Sequence, residues 1–294
     1  MTRMTARDFD PEVLKLFDQY VHGRISRRGF LASAGKYAVG GMTAAGLLSA
    51  LSPSFAAQMV ASDDPRIATR LVEYPSPQGY GAMRGYLAAP AHATDKLPAV
   101  LVVHENRGLN PHIEDIVRRL ALANFIAFAP DALFPLGGYP GDEDKARELF
   151  AKLDQGKTRA DFIAAAGLLK TLPGTNGKVG VIGFCFGGGM ANYLATRLPD
   201  LDAAVAFYGN QPSAAEAAKI KAPLQLHDAE KDERIGAGRP AFEAALNTAN
   251  VRYQSYVYPG TEHGFNTDTT PRYDEVAAKL AWQRSLGFLH AHLG

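Results

Sequence analysis

Cys185 is the only cysteine of the chain, and it stands inside Gly183-Phe184-Cys185-Phe186-Gly187-Gly188. The apolar run 178–182 precedes this stretch and a small-residue helical pattern, 190–197, follows it. A strand, a tight turn flanked by glycines and a helix form the setting in which a nucleophile is lifted above a sheet. The glycines two before and two after the central residue let strand and helix pass without a Cβ clash. A thiol with an ordinary pKa of about 8.5 is a weak nucleophile until a base or a positive field favours its thiolate. The start of a helix supplies part of that field. Free cysteine is also a common small core residue, so the turn alone does not decide between the two readings; partners further along the chain do.

Two groups of such partners follow. Strand 224–227 runs into Asp228-Ala229-Glu230-Lys231-Asp232, and strand 253–258 runs into Pro259-Gly260-Thr261-Glu262-His263-Gly264-Phe265. Both lie just past the carboxyl ends of strands, where open α/β sheets carry their sites. His263 is the candidate base. Asp232 is preferred to Asp228 and Glu230 as its acid, because it leaves loop length to turn back toward the imidazole. The order cysteine, acid, histidine is that of an α/β-hydrolase. The oxyanion is expected to meet the backbone N–H groups of Phe186 and Asn106. His104-Glu105 ends another apolar strand, and on its own chemistry Glu105 is either a site carboxylate or a solvated loop residue. It has no second histidine four residues on, so it does not read as a metal motif.

The elements that must hold these groups alternate along the chain. Strands are expected at 70–74, 83–88, 98–103, 125–129, 203–207, 224–227 and 253–258, besides the one before Cys185. Helices are expected at 113–123, 142–153, 161–172, 240–249 and 273–292. Continuous apolar strands separated by helices imply a mostly parallel central sheet covered by helices on both faces. With no composition break after residue 58, residues 58–294 read as a single α/β-hydrolase domain.

Taken together, Gly-Phe-Cys-Phe-Gly-Gly, the glutamate after the third strand, the loop aspartate and His-Gly-Phe resemble the dienelactone hydrolase family, over about residues 72–293. The resemblance implies a triad of Cys185, Asp232 and His263. It also implies that Glu105 acts as a switch accepting the thiol proton, so that the resting thiol is neutral. Family members grip a substrate carboxylate with arginines. Here one expected position holds Glu143, with Arg147 a turn away as a weak substitute, and 266–270 contains no arginine before Arg272. The expected reaction is opening of a lactone or small carboxylic ester through a Cys185 thioester, without cofactor or metal. A broader carboxylesterase or thioesterase, and a degenerate hydrolase fold used as a binding module, are the alternatives.

Composition adds bounds. Of 294 residues, 47% are hydrophobic and 21% charged, with a net charge of +1, which is ordinary for a globular protein and gives no reason to expect nucleic acid as a partner. One cysteine excludes an intramolecular disulfide. Residues 1–57 are expected to stand outside the fold. Ser26-Arg27-Arg28-Gly29-Phe30-Leu31, the Gly/Ala-rich stretch 37–51 and Pro53-Ser54-Phe55-Ala56-Ala57 resemble a Tat signal. That implies transit through the Tat translocon, cleavage near residue 57 and a periplasmic mature enzyme. The stretch is too short and glycine-rich for a membrane span, which needs ~20 apolar residues. An amphipathic helix at 8–22, ahead of the arginines, has no evident purpose.

Overall fold

The computed structural model describes residues 4–38, 42–55 and 58–294. Its centre is an eight-stranded sheet: β1 Ile67–Ser76, β2 Gly81–Pro90, β3 Leu97–Val103, β4 Ile126–Pro130, β5 Thr175–Phe184, β6 Ala203–Phe207, β7 Leu224–Ala229 and β8 Tyr253–Tyr258. The spatial order is β1-β2-β4-β3-β5-β6-β7-β8. The pairs β1–β2 and β2–β4 are antiparallel. From β4 to β8 every pairing is parallel. β3 shows why its sequence is apolar throughout. Ala99, Leu101 and Val103 enter one core, whereas Val100 and Val102 enter the other. Alternate side chains point to opposite faces, and a strand covered on both faces needs apolar residues at every position.

Three N-terminal helices, α1 Pro11–Val21, α2 Arg27–Ala34 and α3 Ala44–Leu51, precede the sheet. Around it lie α4 Pro111–Leu122, α5 Glu143–Phe150, α6 Gln155–Thr171, α7 Phe186–Arg197, α8 Ala214–Ala217, α9 Glu233–Gly236, α10 Arg239–Thr248 and α11 Glu275–Leu293. The first core takes Phe162 and Leu169 of α6, Leu194 of α7 and Phe242 of α10. The second takes Ile113, Ile116 and Leu120 of α4 with Phe288 and Leu289 of α11. The layers are therefore helix, sheet, helix, as expected, and β6 and β8 coincide with their expected spans.

The N-terminal part differs from its expectation. The described residues before 58 fold and dock. Asp10 caps α1 at the Glu12 N–H, and Pro11 opens the helix. Val13, Leu14, Phe17 and Tyr20 of α1 pack with Phe30 and Ala34 of α2 and Leu47, Leu48 and Leu51 of α3, forming a third apolar cluster. The segment is then tied to the body by polar contacts. Asp144 accepts from the Tyr20 hydroxyl and, at 2.7 Å, from Arg27. Arg147 donates to the Tyr20 carbonyl at 2.9 Å, and Asn106 donates to the Val21 carbonyl at 2.9 Å. The Ser54 N–H reaches the Thr269 carbonyl at 2.8 Å. The physical reason is the apolar face of α1, which the sequence shows but for which it names no partner. Ala56 and Ala57, and residues 39–41 of the apolar stretch, lie outside the described residues. Among the described residues no helix is long and apolar enough to cross a membrane.

Candidate active site

β5 ends at Phe184, and Cys185 turns the chain into α7 with φ 54° and ψ −111°. A side-chain-bearing residue rarely adopts such a backbone, and holding it costs about 1–3 kcal/mol. Surrounding contacts enforce it: the Cys185 N–H bonds the Phe207 carbonyl at 3.0 Å. A Cβ on Gly183 would meet the Gly187 carbonyl, and one on Gly187 would meet the Val103 carbonyl of β3. The glycines thus permit the close crossing that points the sulfur away from the sheet, beside the first N–H groups of α7.

The loop after β8 brings His263 to this sulfur. Its Nδ1–H donates to Asp232 Oδ2 at 2.5 Å. The other carboxylate oxygen, Oδ1, accepts from the Ile235 N–H at 3.2 Å and caps α9. Asp232 is therefore held by a helix terminus while it orients the ring. With Nδ1 engaged, Nε2 is the free face of the imidazole; it is buried and has no hydrogen-bond partner of its own among the described residues. The neighbouring acids are otherwise committed. Asp228 faces Arg239 at 4.0 Å, and Glu230 accepts from the Gly260 N–H at 2.8 Å.

A second histidine, absent from the sequence expectations, completes the cluster. His22, at the C-terminal end of α1, places Nε2 3.4 Å from Cys185 Sγ. Its Nδ1–H faces the Asp18 carbonyl at 2.8 Å and the Asp18 carboxylate at 3.2 Å. The rings of His22 and His263 meet edge to face, 4.7 Å apart. The ligating atoms of His22, Cys185 and His263 all lie within 4.8 Å of one another. The available signal was modest: a histidine ending an amphipathic helix, with an aspartate four residues before it on the same face.

The electrostatics follow from this crowding. Burial opposes charge on Cys185, yet the adjacent His263 and His22 imidazoles bring its thiol down to about 6. Burial equally disfavours the His22 cation, but the Cys185 thiolate and Asp18 raise it to about 10. His263 is raised against burial by Cys185 and Asp232. Asp232 and Asp18 are lowered despite burial by their imidazole partners. Both imidazoles favour the thiolate, and the thiolate in turn favours charge on His22.

The remaining expected residues surround this centre. Glu105, Asn106, Arg107, Glu143 and Arg272 line one cavity with Cys185 and His263, and α1 roofs it with Phe17, Tyr20 and His22. The space left is about 50 Å³. Glu105 accepts from the Thr267 hydroxyl at 3.4 Å. Asn106 spends its side chain on Val21 and Arg107, so its backbone is the part available to a substrate. Phe186 is the first residue of α7, where a helix leaves N–H groups unbonded. Arg147 is engaged elsewhere: its guanidinium lies over the Tyr20 ring, 4.1 Å from the centroid, and it does not line the cavity. Arg272 does line it, and its buried Nε and Nη1 lack hydrogen-bond partners among the described residues. Arg107 is held by Glu143 at 3.6 Å.

An eight-stranded, mostly parallel sheet with a cysteine elbow and a following acid and histidine defines an α/β-hydrolase with a cysteine nucleophile. The Dienelactone hydrolase family model matches residues 83–293, and the chain belongs to that family. A second model, YqhI-like, matches residues 1–38. The chain is 34% identical over 256 residues to a Salmonella typhi protein named "Putative carboxymethylenebutenolidase", covering 82% of this chain and 93% of that one. It is 54% identical over 114 residues to the Escherichia coli "Putative hydrolase fragment YghX", covering 38% of this chain and 97% of the fragment. Among solved structures, a dienelactone hydrolase described as putative, from Klebsiella pneumoniae, superposes with a TM-score of 0.67 at 31% identity. It covers 76% of this chain and 99% of its own.

Proposed function

We propose that Cys185 attacks the carbonyl of a small carboxylic ester or lactone and carries the acyl group as a thioester. His263, oriented by Asp232, then takes a proton from the water that releases it. The N–H groups of Phe186 and Asn106 receive the oxyanion. The observation that carries this reading is the 2.5 Å Asp232–His263 bond, which turns Nε2 toward the sulfur of a strained elbow. A binding module would have no use for a strained cysteine elbow whose sulfur is flanked by two imidazoles. Glu105, which lines the cavity with Cys185, is proposed to accept the thiol proton wherever Cys185 is still protonated when substrate binds. Arg272, whose Nη1 lies 4.0 Å from Asp18 and whose buried Nε has no hydrogen-bond partner among the described residues, favours substrates with an anionic group, in the place the sequence reading gave to Arg147.

Export through the Tat translocon to the periplasm remains part of the proposal, on the strength of residues 26–31 and the apolar stretch after them. The fold attaches a condition to it. Cleavage near residue 57 would remove the helices that roof the site, so the working enzyme is proposed to retain them. Turnover of a panel of lactones and alkyl esters, by wild type and Cys185→Ala, tests the reaction. Activity abolished in Cys185→Ala is expected, and activity unchanged in it refutes the assignment.

A further inference from the structure

The triad uses one imidazole for two tasks. In acylation it must protonate the departing alkoxide, and in deacylation it must take a proton from water. Here a second imidazole touches the same sulfur. His22 Nε2 stands 3.4 Å from Sγ, and Asp18 holds Nδ1, so the ring repeats on α1 the arrangement that His263 and Asp232 make on the sheet. Once Cys185 has attacked, the leaving oxygen is two bonds from the sulfur, on the carbon that the sulfur has joined. A donor in contact with the sulfur from the roof of the cavity is within reach of that oxygen.

We propose that His22 is a second catalytic histidine, which protonates the leaving alkoxide while His263 serves the water, so that the segment α1–α3 is part of the chemical machinery. The proposal rests on Cys185 being the nucleophile. In acylation the S–C bond forms, the C–O bond breaks and the His22 proton passes to the alkoxide. In deacylation water adds to the thioester, His263 takes its proton, and the C–S bond breaks to return the thiolate. Of the two protons then present, on His263 and on the acid product, one returns to His22 and the other is released to solvent as the acid departs as its carboxylate. Asp18 on α1 and the Cys185 sulfur at the elbow favour a cation on His22, whereas the His263 ring after β8 is a second basic group and opposes it when protonated. Arg234 of α9 and Arg272 are the opposing charges. Arg234 Nη2 lies 3.4 Å from nitrogens of both histidines, and this guanidinium makes the three-residue cluster a poor home for a metal cation.

Leaving-group dependence tests the role. A nitrophenyl ester expels a stable anion that needs no proton, whereas the ethyl ester of the same acid does need one. With full-length His22→Gln, assayed where its thiol is ionised, kcat/KM for the ethyl ester is expected to fall about 10²-fold or more, and that for the nitrophenyl ester by no more than about tenfold. Asp18→Asn, which keeps the ring but loosens its hold, should show the same selective loss to a smaller extent; it carries the test if His22→Gln does not fold. Equal losses on both esters, or a gain on both from an unblocked site, would overturn the proposal. The nucleophile assignment fails separately, by activity surviving in Cys185→Ala.

Discussion

The imidazole of His22 lies 3.4 Å from the Cys185 sulfur, across 163 positions of sequence. The thiolate is therefore enclosed by two histidine–aspartate pairs, one from the hydrolase sheet and one from the N-terminal helices. Removing either pair changes the charge on the sulfur as well as the geometry around it.

The thiol should titrate far below an ordinary cysteine. With its pKa near 6, thiolate forms as pH rises through that value, so alkylation by iodoacetamide should rise with a midpoint near pH 6 and then level off. His22→Gln removes one cation and should move the midpoint upward. A wild-type midpoint in the range of a free thiol, about 8.5, would contradict the ion-pair account.

Docking of the N-terminal helices should depend on pH in the same way. His22, raised from 6.5 to about 10, stabilises the folded arrangement fully below 6.5 and loses that contribution as pH rises through about 10. Cys185, lowered from 9.0 to about 6, contributes above its unfolded value and loses its contribution as pH falls through about 6. Cys185 owes its lowering first to His263 and then to His22, so only the His22 share bears on docking; the His22–Cys185 ion pair is intact between about 6 and 10. Proteolysis within residues 4–55 should be slowest in that window, measured against a cleavage site in the body as internal reference. A rate independent of pH on both sides would show that the pair does not hold the segment.

Asp232→Asn should leave the fold in place and lower kcat by about 10³-fold or more, because the amide no longer fixes the imidazole tautomer or balances its charge. Single-turnover kinetics would read the loss. Asp228→Asn, at an acid that faces Arg239, should cost far less.

Gly187→Ala should destabilise the protein, since the added methyl would press on the Val103 carbonyl, a backbone atom with no rotamer to give way. A loss of about 1–3 kcal/mol is expected from overpacking, read by urea denaturation. Gly167→Ala on α6, where a Cβ meets nothing, is the control.

Much of the sheet was legible because buried strands announce themselves. The apolar runs at 98–103 and 203–207 have no polar alternation and end at turn residues, and the glycines around Cys185 mark a backbone conformation that few sequences need. His263 and Asp232 could be placed because strand ends in this topology converge on one edge. His22 could not. Its helix looked like a detached amphipathic segment, because nothing in residues 8–22 names a partner for the apolar face that the fold buries in a small core. Arg272 stood in the sequence only as the next arginine after 266–270, and the fold shows that it lines the cavity.

The covalent intermediate is the most direct test of the account. Protein mixed with an ester substrate and quenched in acid within one turnover should carry one acyl group. Peptide mapping by mass spectrometry should locate it on the peptide containing Cys185, sensitive to hydroxylamine as a thioester is. An acyl group found on another residue, or steady turnover by Cys185→Ala, would contradict the central claim.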